Sequence, residues 1–128
     1  MNTIIFYVNL LSQIITHQLY PVSVISIYDG DTMTVNIQLP LDITLRNQTV
    51  RFCDIDTPEI NRKETKEVAL ISKKRLVEIV NQSESLNLDI RGKDKYGRWL
   101  VYFIADSVNV NNLLLTENLA KSYNLKCN

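Results

Sequence analysis

A chain of 128 residues is the length of one domain built on one core. Its 45% apolar and 22% charged residues match an ordinary globular protein and exclude a low-complexity or repeat architecture. The formal net charge of zero excludes a general electrostatic pull toward polyanions, so any nucleic-acid contact has to come from a local patch.

Residues 1–28 carry no Asp, Glu, Lys or Arg. Residues 1–20 form an apolar segment that reads equally as the core of a secretion signal and as an extra segment packing on the domain. It has neither a basic n-region nor a small-x-small cleavage site, and Asn9, Gln13, His17 and Gln18 interrupt it too often for a membrane span. His17, the single histidine, has no acidic or cysteine neighbour and reads as a solvated or satisfied side chain rather than a ligand. The domain proper is expected over residues 21–128.

Alternation over Val22–Ile27 predicts a first strand. Asp29-Gly30 is a tight-turn signal, and Thr32–Gln38 alternates again as a second strand. Pro40 interrupts it, Ile43–Leu45 extends a hairpin arm, Asn47-Gln48 reads as a turn, and Thr49–Ile55 is the third strand. Pro58, with no N–H to give, ends the ladder. Asn61–Val80 is the one long helix, with Asn61 and Glu64 spaced as a capping box and Val68, Ala69, Ile71, Ser72, Leu76, Ile79 and Val80 on one half. Lys73-Lys74-Arg75 reads as its solvated face. Leu86–Ile90 and Trp99–Ile104 are strands four and five around a Gly92–Gly97 turn, and Asn109–Ala120 is a shorter helix. The order of elements fits an α+β, mainly β, fold: a five-stranded OB-fold barrel with the long helix between strands three and four and a second, shorter C-terminal helix. Cys53 and Cys127 have no zinc-site spacing, and nothing in the sequence favours a disulfide, so two free thiols are expected.

The chemistry concentrates in three stretches: Asp29-Gly30-Asp31-Thr32, Arg51 to Glu59, and Asp94-Lys95-Tyr96-Gly97-Arg98. Alone, each reads as turn chemistry or surface ion pairing. From Arg91 onward six basic residues face three acidic ones, so the last third is locally basic. Two carboxylates such as Asp31 and Asp56, brought together by a barrel, repel unless a proton or a hard cation intervenes. Guanidinium groups such as Arg51 and Arg98 match phosphate oxygens in forked geometry. Strict alternation would put Arg51 and Asp56 on opposite faces, because their separation is odd. One site can use both only if an irregularity reverses the side between Cys53 and Asp56.

In this order and spacing, over roughly Val22 to Tyr123, the three stretches resemble the staphylococcal nuclease (thermonuclease) family. The resemblance implies the same barrel and a calcium-dependent nuclease that cuts DNA and RNA with little sequence demand and leaves 3′-phosphates. It implies that calcium is held by Asp31, Asp56 and the main-chain oxygen of Thr57, with Asp29 close behind. Arg51, Glu59 and Arg98 take the catalytic positions, Glu59 acting on the attacking water. Lys95 and Tyr96 are expected to touch substrate phosphate, and Tyr123 is the nearest match for the aromatic pair of the base pocket. The secreted members continue into a further helix beyond the point corresponding to Asn128. The rival expectation is a non-catalytic OB-fold module that binds single strands or a protein partner. No protein partner is implied, and a monomer is expected.

Overall fold

The computed structural model describes residues 18–125 and 127, so the expectations for residues 1–17, His17 included, lie outside the described residues. Five long strands build the barrel: β1 (Tyr20–Asp29), β2 (Thr32–Leu39), β3 (Ile43–Phe52), β5 (Leu86–Lys93) and β6 (Trp99–Ala105). They are ordered β3-β2-β1-β5-β6, and a parallel pairing of β3 with β6 through Val50–Trp99, Arg51–Leu100 and Phe52–Val101 closes the barrel. This is the OB-fold-like architecture, with helix α1 (Lys66–Gln82) after the third long strand and a shorter helix α2 (Val110–Thr116) near the C-terminus. Three two-residue strands complete the chain: β4 (Ile55–Asp56), β7 (Val108–Asn109) and β8 (Lys121–Ser122).

The core follows the alternation. Met33, Val35 and Ile37 of β2, Val50 and Phe52 of β3, and Val101 and Phe103 of β6 are fully buried, with the Phe52 and Phe103 rings 5.6 Å apart. Leu76 and Ile79 of α1 and Val110 and Leu114 of α2 close the barrel's ends. In β1 a register shift between Val24 and Ser26 turns the strand over, leaving Ile25 exposed while Val22, Val24 and Ile27 face the core.

Several expectations are corrected. The helix begins at Lys66, not Asn61; Thr65 stands at its N-cap without a side-chain hydrogen bond, so the capping box does not form. Residues 61–65 instead form turns, because Pro58 and the Glu59 carbonyl, which accepts the Thr65 hydroxyl at 2.6 Å, steer this segment along the barrel. Only part of the expected apolar face is covered: Ala69, Ser72, Leu76 and Ile79 are buried, but Val68 and Ile71 are exposed. Asn47-Gln48 is not a turn. β3 runs through it as a bulge, two residues of β3 facing one of β2, with Asn47 at φ 56° and its N–H donated to Asn36 Oδ1 at 3.0 Å. The hairpin turn falls at Leu41-Asp42, both left-handed. The second helix ends at Thr116, four residues early, and is capped by Asn109, which accepts the Asn112 N–H. Cys53 and Cys127 are not free: they form a disulfide with Cα atoms 6.0 Å apart, across a separation of 74 residues. Sequence spacing cannot show this, because Cys127 comes to Cys53 through the pairing of β8 with β4.

Candidate active site

The reversal needed between Arg51 and Asp56 is present. β3 stops at Phe52, Cys53-Asp54 turn with Asp54 at φ 67°, and β4 resumes at Ile55. A non-glycine residue in that region persists only when its surroundings hold it there, and here they do so from every side. Cys53 donates its N–H to the Val101 carbonyl at 2.8 Å, and Tyr123 donates its N–H to the Asp54 carbonyl at 2.9 Å. The Tyr102 hydroxyl donates to Asp54 Oδ2 at 2.5 Å. Asn111, fully buried, donates from Nδ2 to the carbonyls of Cys53 (2.9 Å) and Val101 (3.0 Å), and its Oδ1 accepts the Phe103 N–H at 3.0 Å. The disulfide adds a covalent tie at the same point. Burial, then the hydrogen bond to Asp54 and its charge, push the Tyr102 phenol up to about 12.

Because the side is reversed, the Arg51 guanidinium reaches both acids. Its Nη2 lies 3.4 Å from Asp31 Oδ2 and 3.3 Å from Asp56 Oδ1, while Nη1 donates to the carbonyls of Phe52 (2.7 Å) and Ile55 (2.9 Å). Arg51 is thus buried and rigidly placed, and one of its nitrogens supplies the positive charge between two carboxylates. Asp31 Oδ2 also accepts the Thr57 N–H at 2.8 Å, which ties the β1–β2 turn to the segment after β4. Gly30 permits this approach: a Cβ there would lie 2.8 Å from Thr57 Cγ2 and 2.9 Å from Ser72 Cβ. Asp29 Oδ1 accepts the Asp31 N–H at 3.1 Å; burial first, then Asp31 as hydrogen-bond partner and like charge, push its carboxyl up to about 7. The Thr57 hydroxyl oxygen is buried with no partner among the described residues.

The third stretch closes the opposite wall. In the β5–β6 turn Asp94 accepts the N–H groups of Tyr96 and Arg98 through Oδ1, both at 2.9 Å, and Arg98 Nε through Oδ2 at 2.8 Å. Burial opposes ionisation of Asp94, but these hydrogen bonds and the Arg98 charge outweigh it and hold its carboxyl below the usual range. Gly97, at φ 82°, lets the turn close. Tyr96 is 72% exposed, with Lys95 Nζ 5.2 Å and Arg98 Cζ 5.4 Å from its ring centre.

Asp29, Asp31, Arg51, Asp56, Thr57, Glu59, Lys95, Tyr96 and Arg98, every site residue expected from the sequence, line one open cleft of about 680 Å³, with Tyr123 at its edge. Glu59 is exposed, and its Oε2 lies 3.1 Å from Arg62 Nε. Sequence reasoning missed Tyr28, Asn61 and Leu125 around the cleft, Arg62 beside Glu59, and Asn111 and Tyr102, which hold the turn behind it. No signal in the chain marked Asn111, one of several asparagines near a helix start. Among the described residues no three His, Cys, Asp or Glu side chains converge as a ligand set. The oxygen-rich corner consists of two carboxylates, Asp31 and Asp56, beside the main chain of Thr57.

The sequence profile of the staphylococcal nuclease homologue family matches residues 49–128. The chain is similar to a thermonuclease of Staphylococcus hyicus, with 33% identity over 105 residues, covering 77% of this chain and 57% of that protein. It is also similar to two proteins of Bacillus subtilis (strain 168). The SPbeta prophage-derived endonuclease YokF is 38% identical over 98 residues, covering 73% of this chain and 31% of that protein. The endonuclease YncB is 37% identical over 98 residues, covering 73% and 43%. The chain therefore spans between about a third and somewhat over half of these relatives' lengths.

Proposed function

Because the chain belongs to the staphylococcal nuclease homologue family, we propose that its polar cleft hydrolyses phosphodiester bonds of DNA and RNA, with calcium as cofactor. The observation that carries this reading is the convergence of three separated segments, so that Asp31, Asp56, Arg51 and Arg98 line a single opening. Three relatives whose names describe nucleases support it.

The residues present fit a hard cation. Two carboxylates lie within 3.4 Å of one arginine nitrogen, and the buried Thr57 hydroxyl has no partner among the described residues. Asp31, Asp56 and the Thr57 main-chain oxygen would hold calcium, with water completing its shell. When bound, the ion supplies a Lewis acid beside the phosphate. Arg51 and Arg98 neutralise the non-bridging oxygens, whose charge grows toward the transition state. Glu59 accepts the proton of the attacking water as its oxygen bonds to phosphorus. The bond from phosphorus to the 5′-oxygen breaks, that oxygen takes up a proton, and a 3′-phosphate remains. Contacts to backbone rather than base edges carry little sequence preference.

The test is digestion of single-stranded DNA and RNA with calcium or with chelator, using the wild type and Glu59→Gln. Chelator should abolish cleavage, and the substitution should lower kcat by roughly 10²–10⁴. Undiminished cleavage with chelator overturns the metal role, and wild-type kcat in the variant removes Glu59 from the reaction. Binding without any cleavage would make the domain a non-catalytic nucleic-acid module.

A further inference from the structure

A second groove, of about 460 Å³, lies on the far side of the segment Asp56–Glu59. Asp56, Thr57 and Glu59 border both openings, so the two are continuous across a ridge. Two cations stand in the groove. Lys121 faces Asp56 in the β4–β8 pairing, and facing residues of an antiparallel pair present their side chains on the same side. Asp56 is paired with Arg51, which leaves the exposed Lys121 ammonium directed to the groove. Arg62 reaches in from the loop before α1, and its only ion pair among the described residues is the exposed one with Glu59. Pro58, Leu119 and Ala120 give the groove an apolar wall.

We propose that this groove is a second nucleotide subsite, in which Arg62 and Lys121 hold a phosphate adjoining the scissile one and the apolar wall receives the attached sugar and base. It rests on the hydrolytic reading of the main cleft. A phosphate offers Arg62 a forked partner that outcompetes a solvent-exposed carboxylate. Arg62 therefore turns from Glu59 to the strand, leaving the Glu59 carboxylate unpaired for the attacking water. A strand long enough to cross the ridge is thus both held more tightly and met by a Glu59 carboxylate free of its Arg62 partner, which a minimal ester is not. The base in the groove has to be out of its stack, which favours single strands.

The test compares kcat/KM on a single-stranded oligonucleotide with that on a dinucleotide, for the wild type, Arg62→Gln/Lys121→Gln, and Arg46→Gln as an exposed control on the β3 arm. The double variant should lower the oligonucleotide-to-dinucleotide ratio roughly tenfold. It should also flatten the dependence of log KM on log salt by about 0.7 per charge removed. Arg46→Gln should alter neither. A double variant that keeps the wild-type ratio and salt slope overturns the subsite. Anisotropy of a labelled oligonucleotide in chelator tests it without turnover. If the wild type cleaves neither substrate, the hydrolytic reading fails, yet weakened binding by the double variant alone still supports the groove, and equal binding overturns it.

Discussion

Replacing Asn111 by Ala tests whether the reversal after β3 is held by this one side chain. The amide makes three hydrogen bonds in a fully buried position. After truncation the Val101 carbonyl keeps a donor, the Cys53 N–H at 2.8 Å, so two groups lose their recorded partner: the Phe103 N–H and the Cys53 carbonyl. Each orphaned buried group costs about 1–3 kcal/mol, giving a loss of about 2–6 kcal/mol. That is a large share of the roughly 5–15 kcal/mol holding a domain of this size together. With an m-value of about 1–3 kcal/mol per molar urea, a loss of about 3 kcal/mol moves the urea midpoint down by roughly 1–3 M. Urea titration by circular dichroism measures it, and Asn111→Asp, which keeps the acceptor for Phe103 but sets a buried carboxylate oxygen against two carbonyl oxygens, should cost at least as much. Because the same bonds position Asp54 and hence Asp56, cleavage should fall in the variant at urea concentrations where it is still folded. A loss below about 1 kcal/mol for Asn111→Ala would show that the reversal is held by its other ties and not by Asn111.

Three other outcomes follow from the same geometry. Gly30→Ala should destabilise by about 1–3 kcal/mol and weaken calcium binding, because the new methyl meets Thr57 and Ser72 below 3.0 Å and Thr57 is hydrogen-bonded to Asp31; calorimetric titration with calcium that matches wild type would refute this. Reduction of the Cys53–Cys127 disulfide should lower stability by about 2–4 kcal/mol, since the bridge closes a loop across 74 residues, measured as the urea midpoint with and without dithiothreitol. The Tyr102 phenol, raised to about 12 in the fold against about 10 unfolded, adds stability that is complete below pH 10 and is lost as pH rises through 12. Tyr102→Phe should therefore show a flatter decline in melting temperature between those pH values than the wild type.

The division between what was legible and what was not follows the range of the interactions. Alternation in Thr32–Gln38 and Trp99–Ile104, and the apolar spacing of Leu76 and Ile79, read correctly because burying one face imposes a period on neighbouring residues. The cleft's side chains were legible only through the resemblance to the staphylococcal nuclease family: Asp31, Asp56 and Arg98 sit at strand ends and tight turns, where local chemistry alone reads them as turn formers or surface ion pairs. Even the reversal before Asp56 could be inferred once the resemblance put Arg51 and Asp56 in one site, since their odd separation then required it, and Asp54 at φ 67° supplies it. The helix start at Lys66, the bulge at Asn47 and the exposed Ile71 were not legible, because each depends on what the segment meets across the barrel.

By itself the amino-acid order determined the order of the five long strands and two helices and the kinds of side chain offered at their ends. Only the closed barrel decided that Cys53 meets Cys127, that Asn111 underpins the turn carrying Asp54, that Arg62 stands against Glu59, and that Lys121 shares a face with Asp56. Those partners are tens of residues apart or belong to a loop whose path the barrel sets. A contact between distant positions leaves no period in the chain, so it comes into being only when the closed sheet brings both ends to one place.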